Sequence, residues 1–248
     1  DSDNQVAEEL QELKVGATPV PHAEILTFIE PFLLEEGIQL DIVEFTDYVT
    51  PNLALSDGDI DANFFQHTPY LDSFVEDHGL DLTAVAKVHV EPLGLYSKKL
   101  SSIEDLSEGA KIAIPNDPTN GGRALLLLES NGLIDLKEDA PLTATENDIV
   151  ANPHNFQFIA LDAPQLPRAL DDVDASIINT NYALEADLNP MNDALIIEDA
   201  NSPYANILAV RTEDEKDELI LTLVKILNSQ ETKEFIETNY KGAIVPTF

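Results

Sequence analysis

The apolar positions of the chain divide it into short blocks of changing period. After a polar lead, residues 13–17 form a compact apolar run that predicts a buried strand. Thr18-Pro19-Val20-Pro21 then predicts a turn, and Ile25, Leu26, Phe28, Ile29, Phe32 and Leu33 recur at helical spacing up to a stop at Gly37. Pro31 lies inside this run, so the helix must either kink or carry the proline on its exposed side. Residues 38–45 alternate as a strand, 48–55 suit a helix and 60–65 read as a further strand. This β-α-β-α-β rhythm predicts a parallel sheet covered by helices.

A second copy of the rhythm follows. Residues 110–114 predict a strand, Asp117-Pro118 a helix start, 124–128 the helix body and Gly132 its end, with strands expected at 156–161, 175–178 and 194–197. The extended stretch 83–97, broken by Pro92 and Gly94, suits a crossing between two lobes, and 201–210 suits the return. Two helical patterns within 213–240 would complete the first lobe. The expected architecture is α/β, with residues 1–91 plus 204–248 in lobe 1, 92–203 in lobe 2, two crossings, and a ligand cleft between the lobes.

Composition narrows the function. Of 248 residues 44% are hydrophobic, enough for a packed core, while 47 acidic side chains against 13 basic ones give a formal charge of −34. Such a surface repels nucleic acid and anionic lipid. The acidic residues are scattered, not gathered in a tail, which fits adaptation to concentrated salt; a redesigned low-lysine surface is the competing reading. Zero cysteines remove disulfides, thiolate zinc sites and cysteine nucleophiles. No apolar run reaches the roughly 18 residues needed to span a bilayer and no signal-peptide core opens the chain, so a soluble, mature or trimmed product is expected.

Candidate chemistry sits at the ends of predicted strands, the edge where open α/β sheets bind ligands. In the block 61–71, Phe65, His67 and Tyr70 bring aromatic and imidazole groups together; the alternative is an aromatic core corner with a capped helix. Asp57, Asp59 and Asp61 do not make a calcium loop, because its sixth and twelfth positions are here Ala62 and Thr68. The five histidines show no zinc-site spacing, and neither a G-x-S-x-G elbow nor a P-loop is present, so no metal or cofactor is expected. Forty-seven carboxylates leave acid/base catalysis open.

The block 116–123 places Arg123, one of three arginines, in the early turns of a helix whose N-terminus already favours anions. Either a ligand carboxylate or phosphate offsets that cation, with Gly121 and Gly122 allowing close approach, or an acidic side chain of the protein does. Asn179, Asn181 and Tyr182 follow another strand, and Tyr204 and Asn206 open the return crossing. An arginine, asparagines and aromatic faces around one cleft would make an amino-acid site.

Together, Phe-Thr-Asp-Tyr-Val-Thr-Pro-Asn-Leu-Ala-Leu (45–55), Asp-Ala-Asn-Phe-Phe-Gln-His-Thr-Pro-Tyr-Leu (61–71), Pro-Asn-Asp-Pro-Thr-Asn-Gly-Gly-Arg-Ala-Leu (115–125) and Asn-Thr-Asn-Tyr-Ala (179–183) resemble the methionine-binding lipoprotein family, the substrate-binding components of methionine ABC importers. The resemblance runs in order over about residues 13–248. It implies a type II periplasmic-binding-protein fold that closes on free methionine, expected as the L-enantiomer, and a monomer that delivers it to a membrane permease and its ATPase. By motif, Arg123 would bind the carboxylate, Asn181 and Asn206 would fix the polar end, and Phe65, His67 and Tyr70 would line the thioether pocket. Asn120, Asn179 and Tyr204 occupy matching blocks. The family is periplasmic or cell-surface and begins at a lipidated cysteine, which this chain lacks. An enzyme on the same scaffold is the alternative, with His67 as the one evident base among the motif residues.

Overall fold

The computed structural model describes residues 9–199 and 201–248; the first eight residues of the polar lead lie outside them. In chain order the first lobe contains β1 (Gln11–Ala17), α1 (Glu24–Glu35), β2 (Ile38–Glu44), α2 (Thr50–Asp57), β3 (Ala62–His67), α3 (Thr68–His78) and β4 (Leu82–Val90). The second contains β5 (Gly94–Tyr96), β6 (Lys111–Pro115), α4 (Pro118–Ser130), the small pair β7 (Asp135–Leu136) and β8 (Ile149–Ala151), β9 (Gln157–Leu161), α5 (Leu166–Ala169), β10 (Ala175–Ile178), α6 (Thr180–Glu185), α7 (Pro190–Asp193) and β11 (Ile196–Ile197). The chain then returns through β12 (Ala205–Arg211), α8 (Glu218–Leu227), α9 (Gln230–Tyr240) and β13 (Val245–Pro246).

Two sheets result, one of order β13-β4-β12-β3-β1-β2 and one of order β11-β5-β10-β6-β9. β1 runs parallel to β2 and β3, and β6 runs parallel to β9 and β10, as expected for βαβ units. β12 enters the first sheet antiparallel, between β3 and β4. Its residues 205–210 are all buried, so its near-continuous apolar sequence reflects a strand covered on both faces. The stretch 201–210 is therefore a crossing only over its first residues. Likewise 83–97 is not one connector but β4 in one sheet and β5 in the other, with Glu91–Pro92–Leu93 passing between them.

Local chemistry accounts for the helix boundaries nearest the cleft. Asp117 caps α4 by accepting from the Asn120 amide at 3.0 Å, and Pro118 follows at the first helical position, where its missing N–H costs nothing. His67 caps α3, its Nδ1 accepting from the Tyr70 amide at 3.1 Å, and Gly79 ends that helix with φ +64°. Pro31 sits exposed within an unbroken α1, while Ile25, Leu26, Ile29 and Leu33 face the core with β1, α8 and α9. A separate core joins Leu93, Leu95, Ile112, Leu125, Leu128 and Ile177 in the second lobe.

Candidate functional site

The C-terminal ends of β3, β6 and β10 and the crossings converge on one cavity between the lobes. Its lining includes Tyr48, Phe65, His67, Tyr70, Glu91 and Arg123, with Gln66, Asn120, Asn179 and Asn206 completing it.

One wall is aromatic. Tyr48, Phe65 and Tyr70 form a triangle with ring centroids 5.9–6.0 Å apart, and the Tyr70 hydroxyl donates to the Tyr48 carbonyl at 2.6 Å. Such rings meet edge to face or tilted, which leaves ring faces for an apolar or sulfur-bearing chain.

The opposite side is polar. Arg123, on the second turn of α4, is buried and forms a fork with Glu198, Nε to Oε2 at 2.8 Å and Nη2 to Oε1 at 2.6 Å; Nη2 also donates to the Glu91 carbonyl at 2.8 Å. Burial weighs against the guanidinium charge, and the Glu198 carboxylate more than offsets it, so the pKa is raised and the cation is held. Tyr204 lies beneath it, with the Arg123 Cζ 4.2 Å from the ring centroid. Glu198 also bonds across the two crossings, its amide donating to the Leu93 carbonyl at 2.8 Å.

His67 faces the cavity but offers no free nitrogen. Its Nε2 lies 2.8 Å from Asn120 Oδ1 and its Nδ1 serves the α3 cap. Burial, reinforced by the Arg123 charge, pushes its pKa down to about 3, so the ring is neutral. Glu91 behaves oppositely: burial opposes its ionisation, but His22 and His89 on its Oε1, at 3.1 and 2.8 Å, hold the carboxyl well below its usual range.

Seven of the expected residues line the cavity: Phe65, His67, Tyr70, Asn120, Arg123, Asn179 and Asn206. Asn120 is fully engaged, its Oδ1 accepting from His67 and from Asn179 Nδ2 at 3.2 Å and its Nδ2 donating to Asp117, so it orients the residues around it. Asn181 and Tyr204 stand one layer behind, Asn181 Oδ1 accepting from the Tyr48 hydroxyl. Asn179 Oδ1, Asn181 Nδ2 and the Tyr204 hydroxyl are buried without a hydrogen-bond partner among the described residues. His67 both caps a helix and lines the cavity. The glycine pair is a correction: a Cβ on Gly122 would lie 2.1 Å from the Leu142 carbonyl oxygen and one on Gly121 3.0 Å from that of Pro115, so the chain's own backbone, not a ligand, approaches these glycines.

Sequence reasoning missed Tyr48, Gln66, Glu91 and His22. Tyr48 lies inside the block 45–55 and Gln66 inside the block 61–71; Glu91 stands two residues after His89 and directly before Pro92, and His22 carries no signal beyond its neighbours. Contacts between the lobes include Tyr48 to Asn181, His67 to Asn120, and the Tyr182 hydroxyl to the Thr46 carbonyl at 3.2 Å. Among the described residues no helix is long and apolar enough to cross a membrane.

Residues 13–248 match the family model described as NlpA lipoprotein. The D-methionine-binding lipoprotein MetQ of Salmonella typhi is 42% identical over 236 residues, covering 94% of this chain and 87% of that protein. Among solved structures, a nutrient-binding protein from Burkholderia cenocepacia bound to methionine is 48% identical with a TM-score of 0.92, covering 95% of this chain and 100% of that one. An ABC transporter periplasmic substrate-binding protein from Coxiella burnetii is 43% identical with a TM-score of 0.91, covering 94% and 99%.

Proposed function

This chain belongs to the NlpA lipoprotein family, and we propose that it is the substrate-binding component of an ABC importer that closes its cleft around one free methionine. The observation that carries this reading is the pairing, around a single cavity, of a cationic donor with a carboxylate and an aromatic wall. A zwitterionic amino acid with an apolar side chain is complementary to that arrangement.

Arg123 Nη1 makes no hydrogen bond among the described residues and is the group suited to the ligand carboxylate. Glu91, whose Oε1 is taken by the two histidines, keeps Oε2 for the ammonium, and Asn179 Oδ1 supplies a second acceptor. The thioether lies against Tyr48, Phe65 and Tyr70, where sulfur-aromatic contacts contribute about 0.3–1.5 kcal/mol. Asn181 acts through Tyr48, and Tyr204 through Arg123. The relatives' names carry D-methionine, whereas the sequence reading favours the L-enantiomer; the two differ only in how one carbon presents its substituents, so both belong in any test.

Closure brings groups of both lobes onto one ligand, so the ligand favours the closed form, with residues 91–93 and 201–203 as hinges. This reading takes 91/92 and 203/204 as the lobe boundaries. Delivery is to a permease and its ATPase, by a monomer whose acidic surface disfavours nucleic acid. The alternative of an enzyme on this scaffold finds no base in His67, both of whose nitrogens are engaged and whose basicity is low.

The test is a cycle across the Arg123 contact. Calorimetry with methionine and with 3-(methylthio)propylamine, which keeps the amine and the thioether but lacks the carboxylate, is run on wild type and Arg123→Ala. Wild type is expected to lose about 2–5 kcal/mol on removal of the carboxylate and the variant little. Near-native methionine affinity in Arg123→Ala overturns the assignment.

A further inference from the structure

His22 is wholly buried on the turn between β1 and α1, a segment outside the recognised motifs, yet it touches both crossings at once. Its Nε2 lies 3.1 Å from Glu91 Oε1 on the outgoing crossing and 2.8 Å from Asn206 Oδ1 on the returning strand. Its Nδ1 lies 2.7 Å from the Thr18 hydroxyl. An ionised carboxylate can only accept, so the shared Nε2 must carry a proton, and the Asn206 atom facing it must then be the amide oxygen. The Asn206 side chain has no freedom to turn over, because the reversed amide would set N–H against N–H. Its NH₂ end is thereby aimed at the cavity that Asn206 lines.

We infer that His22 is a positioning residue that presents Asn206 to the cleft as a hydrogen-bond donor, and so selects a ligand carrying a carboxylate on that side. His89 supports the arrangement by binding the same Glu91 oxygen from the other side at 2.8 Å, which fixes the carboxylate that fixes His22. Thr18 completes it by holding the imidazole ring in plane from behind. The inference rests on the proposed amino-acid reading and deepens it, since it concerns which polar end of the ligand meets which side of the cavity.

The experiment compares methionine with methioninol, whose carboxylate is replaced by a hydroxymethyl group, by calorimetry on ligand-stripped protein. His22→Phe removes the donor and frees the Asn206 amide; methionine is expected to bind about tenfold or more weakly, with methioninol changed by less than about threefold. His22→Gln keeps an N–H near the Nε2 position and is expected to restore methionine affinity to within about threefold of wild type. Thr18→Val, which keeps the shape of the buried side chain and removes its hydroxyl bond to His22, provides the same readout if His22→Phe does not fold, and is expected to shift the methionine-to-methioninol ratio in the same direction. An equal loss for both ligands, or an unchanged ratio in Thr18→Val, overturns the inference while leaving methionine binding intact. Failure of wild type to bind methionine overturns the underlying reading instead. A stoichiometric divalent metal that is present in wild type and lost in His89→Gln also overturns it, because His22, His89 and Glu91 would then be metal ligands and not a hydrogen-bond relay.

Discussion

Arg123 and Glu198 meet edge to edge, with paired contacts of 2.8 and 2.6 Å. Of the two sequence alternatives for Arg123, the internal salt bridge is present. The fork uses Nε and Nη2, and Nη1 makes no hydrogen bond among the described residues, which is compatible with the proposed ligand contact. Glu198 in turn is tied to Leu93, so the cation is fixed to both crossings at the hinge. Glu198→Gln is expected to weaken methionine binding by about 1.5–3 kcal/mol through loss of a charge-assisted bond that aims the guanidinium. Calorimetry checks it, and an unchanged affinity would show that the Glu91 carbonyl and packing on Tyr204 aim Arg123 without Glu198.

The buried histidines make stability depend on acid. The unfolded chain protonates His67 near pH 6.5, whereas the folded chain refuses that proton down to about pH 3. The unfolded state binds more protons between those values, so stability is full above pH 6.5 and falls as pH drops through the window, by about 1.4 kcal/mol per pH unit for each such group. His89, also lowered by burial, adds in the same direction. Urea melts from pH 7 to about 3.5 are expected to show this slope and His67→Gln to reduce it. A flat profile in wild type would contradict the buried neutral rings.

Gly122 separates a ligand-facing glycine from a packing one. In an ordinary helix interior Ala is favoured over Gly by about 1 kcal/mol. Here the added Cβ would meet the Leu142 carbonyl oxygen at 2.1 Å and the Ala144 amide at 2.8 Å, both backbone atoms. Gly122→Ala is therefore expected to destabilise the protein by about 1–3 kcal/mol while the folded fraction binds methionine normally. A rise in melting temperature would refute the clash.

How far this could be read in the sequence depends on the range of the interaction. Helix periods, the Asp117-Pro118 start of α4 and the strand ends carrying Phe65 and His67 are local and legible. The crossings are shorter than the sequence predicts, because Ala205–Arg211 pairs with β3 and β4 as a buried strand, a partnership that local sequence does not reveal. Glu91 was hidden among 47 carboxylates, since nothing in a sequence marks which one is buried. His22 and Asn206 lie 184 residues apart, and their bond exists only because β12 inserts beside β3.

The charge of −34 predicts a salt response independent of the site. Like charges on a compact globule repel most at low ionic strength, and screening shortens to about 3 Å at 1 M. Melting temperature is expected to rise steeply with potassium chloride up to about 1 M and more slowly beyond, while the affinity for zwitterionic methionine changes less. A melting temperature that is flat or falls would mean that the acidic surface is already balanced locally.

The central claim is that the cleft is a site for one methionine. Its most direct measurement is a calorimetric titration of the wild-type chain, unfolded and refolded to strip carried-over ligand, with L-methionine, D-methionine, leucine, glutamate and lysine. The predicted result is saturable binding of one molecule per chain by methionine, tighter than leucine and with no binding of the charged side chains, which the Tyr48–Phe65–Tyr70 wall cannot solvate. Saturation by glutamate or lysine with no heat from either methionine enantiomer would contradict it.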